Sequence, residues 1–232
     1  MLSQISHLLY KELLLEWKQK YALSGLLLYV ACMVAIISLN FTDGIELDNK
    51  DVRINILNLS GHAWNIMYWL ILLFVAINAV AKSFSAEREG QLRYLYSMAH
   101  PTAIILSKTV YNALLMIVMG VISFGLHSLF GGQNVKNPGL FLITAIAGGF
   151  AFSASLTLVS AIAAKADNKT TLLAVLAFPL MAALLLVLIS VSQAAWEGQG
   201  WADVQSELVS VLGISTALTA LSVLLFPFVW RE

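Results

Sequence analysis

Six stretches of this chain are almost free of Asp, Glu, Lys and Arg, and each is long enough to cross a membrane. Only 11% of the 232 residues are charged and 59% are hydrophobic, so the charges are concentrated between these stretches. An α-helix needs roughly 20 consecutive apolar residues to cross the hydrocarbon core. Because the runs are continuous rather than alternating, spanning strands are excluded. The sequence therefore predicts an all-α, polytopic membrane protein with six transmembrane helices.

The whole chain is predicted to form one transmembrane domain, residues 1–232. The first run begins at residue 21 and is too long for the core of a cleaved signal peptide. The predicted spans cover, approximately, residues 21–42, 61–81, 104–130, 139–164, 170–195 and 208–230.

The basic residues are divided unequally between the two sides of the membrane. With six spans both termini share one side, and that side carries ten of the 13 Lys and Arg residues. The other side carries three, which are Lys50, Arg53 and Lys136. By the positive-inside rule, both termini are cytoplasmic.

Residues 1–20 have the pattern of an amphipathic helix that precedes the first span. Its apolar side chains fall on one side: Leu2, Ile5, Leu9, Leu13 and Trp17. This pattern predicts a helix lying in the cytoplasmic interface. Glu12 and Glu16 interrupt the pattern at the edge of the apolar stripe. Either that edge meets a protein partner, or the helix lies shallowly.

The loop between the second and third spans carries the most informative polar sequence. Glu87 and Glu89 would open a short helix, where acidic side chains complement the helix dipole. Apolar residues then recur at helical spacing: Leu92, Leu95, Tyr96 and Ala99. Pro101 would stop this element before the third span begins near Ile104. Because so short a helix is marginal in water, its apolar side needs lipid or another protein to cover it.

Small residues recur at every fourth position of the fourth span: Gly149, Ser153, Thr157 and Ala161. Such a ladder lets helix backbones approach closely, so we expect it to mark a helix-packing face rather than a substrate path.

The sequence carries no motif for catalysis or for ATP binding. There is no GxxxxGK[ST], HExxH or GxSxG, and the loops leave no room for a nucleotide-binding domain. The single cysteine, Cys32, permits no internal disulfide, and no metal-ligand spacing occurs. No ionisable carboxylate, Lys or Arg lies in the core of a span, which disfavours an ion-coupled carrier. We expect no catalytic residue, no metal and no nucleic-acid partner, so any ATP must be hydrolysed by another polypeptide.

The loop motif resembles a known family. The segment Phe84-Ser-Ala-Glu87-Arg-Glu-Gly90-Gln-Leu92-Arg-Tyr-Leu95, followed by Pro101 and Lys108, is similar to the cytoplasmic loop of ABC-2-type permeases. Within that superfamily the chain resembles most the haem exporter protein B (CcmB) family of cytochrome c maturation. That likeness rests on the short length, on Ser107-Lys108-Thr-Val-Tyr-Asn and on the proline-containing segment 172–180.

The resemblance implies a permease subunit of the bacterial inner membrane that pairs with a separate ATP-binding subunit, as two copies of each. It assigns ATPase coupling to a segment that contains Glu87, Arg88, Gly90, Leu92, Leu95 and Tyr96. It also implies two further partners, a haem-handling membrane protein and a periplasmic haem chaperone. ATP would bind the partner subunit, and haem would be a transported or handed-over ligand rather than a cofactor held by this chain.

The sequence leaves open the role of two histidines and the function of the chain. His62 and His127 are weak candidates for haem ligands near the outer surface. The chain lacks the tryptophan-rich WGxxWxWD motif of haem-handling partners, which favours an energy-transducing role. The alternatives are an ABC-2 exporter of a lipid, drug or saccharide, and a non-transporting membrane scaffold.

Overall fold

A computed structural model describes residues 2–18, 20–40, 46–48, 51–53, 61–85, 100–130, 135–163 and 169–231. The N-terminal part contains helices α1 (Leu2–Lys18) and α2 (Lys20–Asn40) and a hairpin of two three-residue strands, β1 (Glu46–Asp48) and β2 (Asp51–Arg53). The other described elements are five helices: α3 (Gly61–Ser85), α4 (Pro101–Phe130), α5 (Pro138–Ala163), α6 (Lys169–Glu197) and α7 (Trp201–Arg231). The predicted helical membrane fold is confirmed, with one short hairpin added to it.

Five of the described helices are long and apolar enough to cross a membrane. Their apolar parts are Gly61–Ala79, Pro101–Phe130, Pro138–Ala163, Thr171–Glu197 and Trp201–Pro227. The predicted first span corresponds to α2, whose 21 residues include the shorter apolar stretch Ser24–Ile37. Helix α5 is the most buried of the five and packs against α3, α4, α6 and α7.

Two helices begin earlier than the charge pattern predicts. Helix α4 begins at Pro101, and the His100 carbonyl accepts hydrogen bonds from the backbone N–H groups of Ala103 and Ile104. Proline suits the first helical position, where its missing N–H is no loss. Pro101 therefore opens the third span, three residues earlier than predicted, and the element predicted before it lies outside the described residues.

Residues 201–207 precede the predicted last span, 208–230, yet they belong to the same helix. Helix α6 ends at Glu197, and Gly198 follows with a φ of 86°. The N–H groups of Gly198 and Gln199 donate to the carbonyls of Ala195 and Ala194, which is the hydrogen-bond pattern of a Schellman motif.

Helix α7 then begins at Trp201, after a linker of residues 198–200. Asp203 accepts a hydrogen bond from the Gly200 N–H at 3.0 Å, so its carboxylate satisfies a backbone donor at the helix start. The acidic residues thus favour the first turns of this helix.

Candidate functional site

The predicted coupling residues lie outside the described residues. Glu87, Arg88, Gly90, Leu92, Leu95 and Tyr96 all fall in segment 86–99. The structure describes its two flanks, the end of α3 at Ser85 and the start of α4 at Pro101. The coupling assignment therefore stays a prediction. The structure describes the contacts of the two helices that flank the segment, α3 and α4.

A buried ion pair joins α1 to α4 near the start of α4. The Lys108 Nζ lies 3.7 Å from the Glu12 Oε1, and the two side chains are only 3% and 15% exposed. Lys108 is seven residues beyond Pro101, or about 10 Å along the helix axis. The edge of α1 that the acidic residue interrupts thus meets the chain's own third predicted span.

A second lysine contacts the same carboxylate from the surface. The Lys11 Nζ lies 3.6 Å from the Glu12 Oε1, but the Lys11 side chain is 37% exposed. Exposed pairs contribute little because water screens them, whereas a buried charge that loses its partner is costly. Lys108 is therefore the contact expected to hold α1 in place.

The small-residue ladder of α5 faces α4 along its length. A Cβ added at Gly149 would lie 3.3 Å from the Met116 Cβ. One turn later, the Ser153 hydroxyl donates to the Thr109 carbonyl at 2.7 Å. All four ladder side chains are buried: Gly149, Ser153, Thr157 and Ala161. Their contribution to holding the fold together stays a prediction.

The same α4 surface carries polar groups toward α5. Asn112 donates from its Nδ2 to the Thr157 hydroxyl at 3.3 Å, and Ala161 clusters with Ile105. The stretch 107–112, on which the haem exporter resemblance partly rests, therefore supplies contacts to both α1 and α5.

A cluster of aromatic rings packs around Trp64 at the end of the helix bundle opposite the Lys108–Glu12 ion pair. The Trp64 ring of α3 stacks on Tyr68 with centroids 6.1 Å apart. It also contacts rings from three other helices, at centroid distances between 4.9 and 6.3 Å: Phe124, His127, Phe141 and Trp196. Such tilted and edge-on contacts stabilise beyond the area that they bury. We call this region the Trp64 end and the region around the ion pair the Lys108 end.

A buried hydrogen-bond network reinforces the Trp64 end. The Trp69 indole N–H donates to the Ser192 hydroxyl at 2.8 Å, and the Ser192 hydroxyl donates to the Asn65 Oδ1 at 2.7 Å. The Asn65 Nδ2 donates to the Ile189 carbonyl at 2.9 Å. The network fixes α3 against α6, because the buried side chains of Asn65 and Trp69 on α3 find their partners on α6.

The two candidate haem histidines lie in different surroundings. His127 is 2% exposed and is packed edge-on against the Trp64 and Tyr68 rings, with its Nδ1 3.2 Å from the Ser123 carbonyl. His62 is exposed at the start of α3. The structure does not bring them together, and within the described ranges no three His, Cys, Asp or Glu side chains are grouped as metal ligands.

These features define the class of the protein: a polytopic helical membrane protein whose packing is centred on α5, which contacts α4, α6 and α7 to a similar extent. Residues 61–211 match the family described as ABC-2 family transporter protein. The match covers more than half of the chain, and the protein belongs to that family. No curated protein matches the chain as a relative.

The family match extends from the start of α3 into α7. It includes Lys108, the small-residue ladder and the Trp64 end, but it does not include α1. The chain is thus the membrane component of an ABC transporter, and family membership implies an ATP-binding subunit and a second permease copy as partners.

Proposed function

We propose that this chain is the permease subunit of an ABC complex that acts in haem export or haem-chaperone release during cytochrome c maturation. It would lie in the bacterial inner membrane with both termini in the cytoplasm. The observation that carries the transport part is the family match across α3 to α7, which includes the buried Lys108.

The coupling part of the proposal rests on the contacts of the helices that flank segment 86–99. The segment leaves α3 and enters α4, and α4 is tied to α1 by the Lys108–Glu12 pair and to α5 by Ser153. A short amphipathic helix in this segment would offer Leu92, Leu95 and Tyr96 to a groove on the ATP-binding subunit. Force applied there would reach α4 directly, since only residues 86–100 separate the two helices.

The haem part rests on the resemblance of stretches 107–112 and 172–180 to the haem exporter family. The burial of His127 among aromatic rings supports an energy-transducing role over direct haem ligation, because a porphyrin must reach the ligating nitrogen. Release of a loaded haem chaperone, powered by the ATPase, fits a permease of this kind.

Deletion of the gene from its bacterial host tests the haem part. We expect all c-type cytochromes to disappear from haem-stained membrane fractions while b-type cytochromes persist, and a plasmid copy should restore them. Normal c-type cytochromes in the deletion strain would leave a lipid, drug or saccharide exporter as the better interpretation.

Affinity purification of the tagged chain tests the complex. A stoichiometric ATPase should copurify with it. Absence of an ATPase under mild detergent conditions would contradict the proposed complex and favour the scaffold interpretation.

A further inference from the structure

An open groove of about 570 Å³ lies at the Trp64 end, between the first turns of α3 and the last turns of α6. Small-molecule sites generally fall in the range of about 300–1,000 Å³. The deeper wall is apolar and consists of Ile66, Leu186, Ile189 and Ala194. The rim is polar and consists of His62, Gln193, Glu197 and Gln199, and Ser190 lies deeper, seven positions before Glu197 on α6. The groove is therefore amphipathic along its length.

The division follows the expected depth in the membrane. Leu186 lies eleven positions before Glu197 on α6, which corresponds to about 16 Å along the helix axis. That distance is about half of the hydrocarbon thickness of roughly 30 Å. Leu186 is 73% exposed, so the deep part of the groove faces the bilayer, and Glu197 lies at the boundary with water.

Hydrogen bonds hold the one carboxylate of the rim in position. The Glu197 Oε1 accepts from the Gln193 Nε2 at 3.0 Å, and its Oε2 accepts from the Gln199 Nε2 at 3.4 Å. Each carboxylate oxygen can accept more than one hydrogen bond, so both keep capacity for a ligand. Because the two amides do not neutralise the charge, the rim is complementary to a cationic group.

The backbone of the rim is fixed as well. Asn137 donates from its Nδ2 to the Gln199 carbonyl at 3.2 Å, and the Lys136 N–H donates to the Trp196 carbonyl at 3.4 Å. Together with the turn at Gly198, these bonds place the carboxylate before any ligand arrives. Preorganisation of this kind reduces the entropy lost on binding.

We propose that this groove binds a phospholipid of the leaflet opposite the chain termini, with a primary amine in its headgroup. The acyl chain lies along the apolar wall from Leu186 to Ala194. The ammonium donates to Glu197, and His62 at the rim offers a donor to the phosphate. A choline headgroup has no N–H to donate, so the site discriminates phosphatidylethanolamine from phosphatidylcholine. The site is independent of the solute that the complex serves.

Native mass spectrometry of the full chain in detergent tests the headgroup preference. The probes are phosphatidylethanolamine and phosphatidylcholine with identical acyl chains, at equal concentrations. We expect the amine lipid to be retained about fivefold more, because both headgroups are cationic but only the amine adds a hydrogen bond to Glu197. Glu197→Gln should bring the ratio close to one. Glu207→Gln is the matched control, since Glu207 is an exposed acid of the same end on α7, outside the groove.

A second pair of variants tests the apolar wall. Leu186→Gln should lower retention of both lipids and keep their ratio, whereas Leu224→Gln on α7, at 65% exposure, should lower neither. Equal retention of the two lipids by the wild type, a preference that survives Glu197→Gln, or identical behaviour of the two leucine variants would each overturn the proposal. Displacement of the bound lipid by equimolar free ethanolamine would also overturn it, because the site would then recognise a small amine instead of a lipid.

Discussion

The two lysines that contact Glu12 allow a controlled measurement of what the buried ion pair contributes. Lys108 and Lys11 approach the same Oε1 at 3.7 and 3.6 Å, but their side chains are 3% and 37% exposed. The Nζ–Oε1 distance is therefore nearly the same in the two pairs, and they differ in how deeply the lysine side chain is buried. Removing one partner of a buried pair costs about 3–5 kcal/mol, whereas an exposed pair contributes about 0–1 kcal/mol.

Lys108→Met removes the charge and shortens the unbranched side chain by only one heavy atom. A loss of about 3 kcal/mol in the docking of α1 onto α4 corresponds to a rise of roughly 150-fold in the opening equilibrium, since 1.36 kcal/mol is tenfold. Hydrogen–deuterium exchange of the α1 amides measures that equilibrium directly. We expect protection in α1 to fall by about this factor in Lys108→Met and to change by less than about fivefold in Lys11→Met.

A double variant separates the loss of the pair from the penalty of an unpaired charge. Glu12→Met combined with Lys108→Met removes both charges, and replacement of a whole buried pair by apolar side chains is often neutral or stabilising. Protection in α1 should then recover toward the wild-type level. The reasoning fails if Lys11→Met and Lys108→Met reduce protection equally, or if the double variant is less protected than either single variant.

Four further predictions concern the topology, the packing and the coupling segment. Asn49→Cys should react with an impermeant thiol reagent in intact cells and Gly90→Cys should not; labelling of the latter would reverse the orientation. Gly149→Leu should lower the melting temperature in detergent through about 1–3 kcal/mol of overpacking against Met116; an unchanged melting temperature and oligomer size would show that the ladder has room to spare. Ser192→Ala should cost about 1–3 kcal/mol for each buried partner left unpaired, and a urea titration that finds no loss would mean that water replaces the hydroxyl. Leu95→Asp should insert normally yet lose the copurifying ATPase, because a carboxylate buried in a protein groove is costly; retention of an active ATPase would place coupling elsewhere.

Most of the fold can be predicted from where the charges are absent. A continuous apolar run such as residues 138–163 can cross a bilayer only as an α-helix, since its backbone N–H and C=O groups must pair within the segment. The ends of the runs are less predictable, because caps and not hydropathy decide them. Asp203 illustrates this: it is polar in the sequence, yet its hydrogen bond to the Gly200 N–H makes it part of a helix start.

The partners across the bundle could not be predicted from the sequence. The sequence shows Glu12 as an interruption of an apolar stripe and Lys108 as part of the motif shared with ABC-2-type permeases. Nothing in their spacing indicated that each is the other's partner, because the two are far apart in the chain and meet only when α1 packs on α4. The same holds for Trp64, whose contacts come from three helices that the sequence does not order in space.

The hydrogen bonds between residues 136–137 and 195–199 make the Trp64 end a pivot. They join the start of α5 to the end of α6 and, through a linker of residues 198–200, to the start of α7. Helix α6 has 29 residues and is therefore a lever of about 43 Å. With that length, a tilt of about 5° around the pivot moves the far end by about 4 Å, while the near end hardly moves. A displacement large enough to open or close a contact at the Lys108 end thus requires no hydrogen bond of the pivot to break.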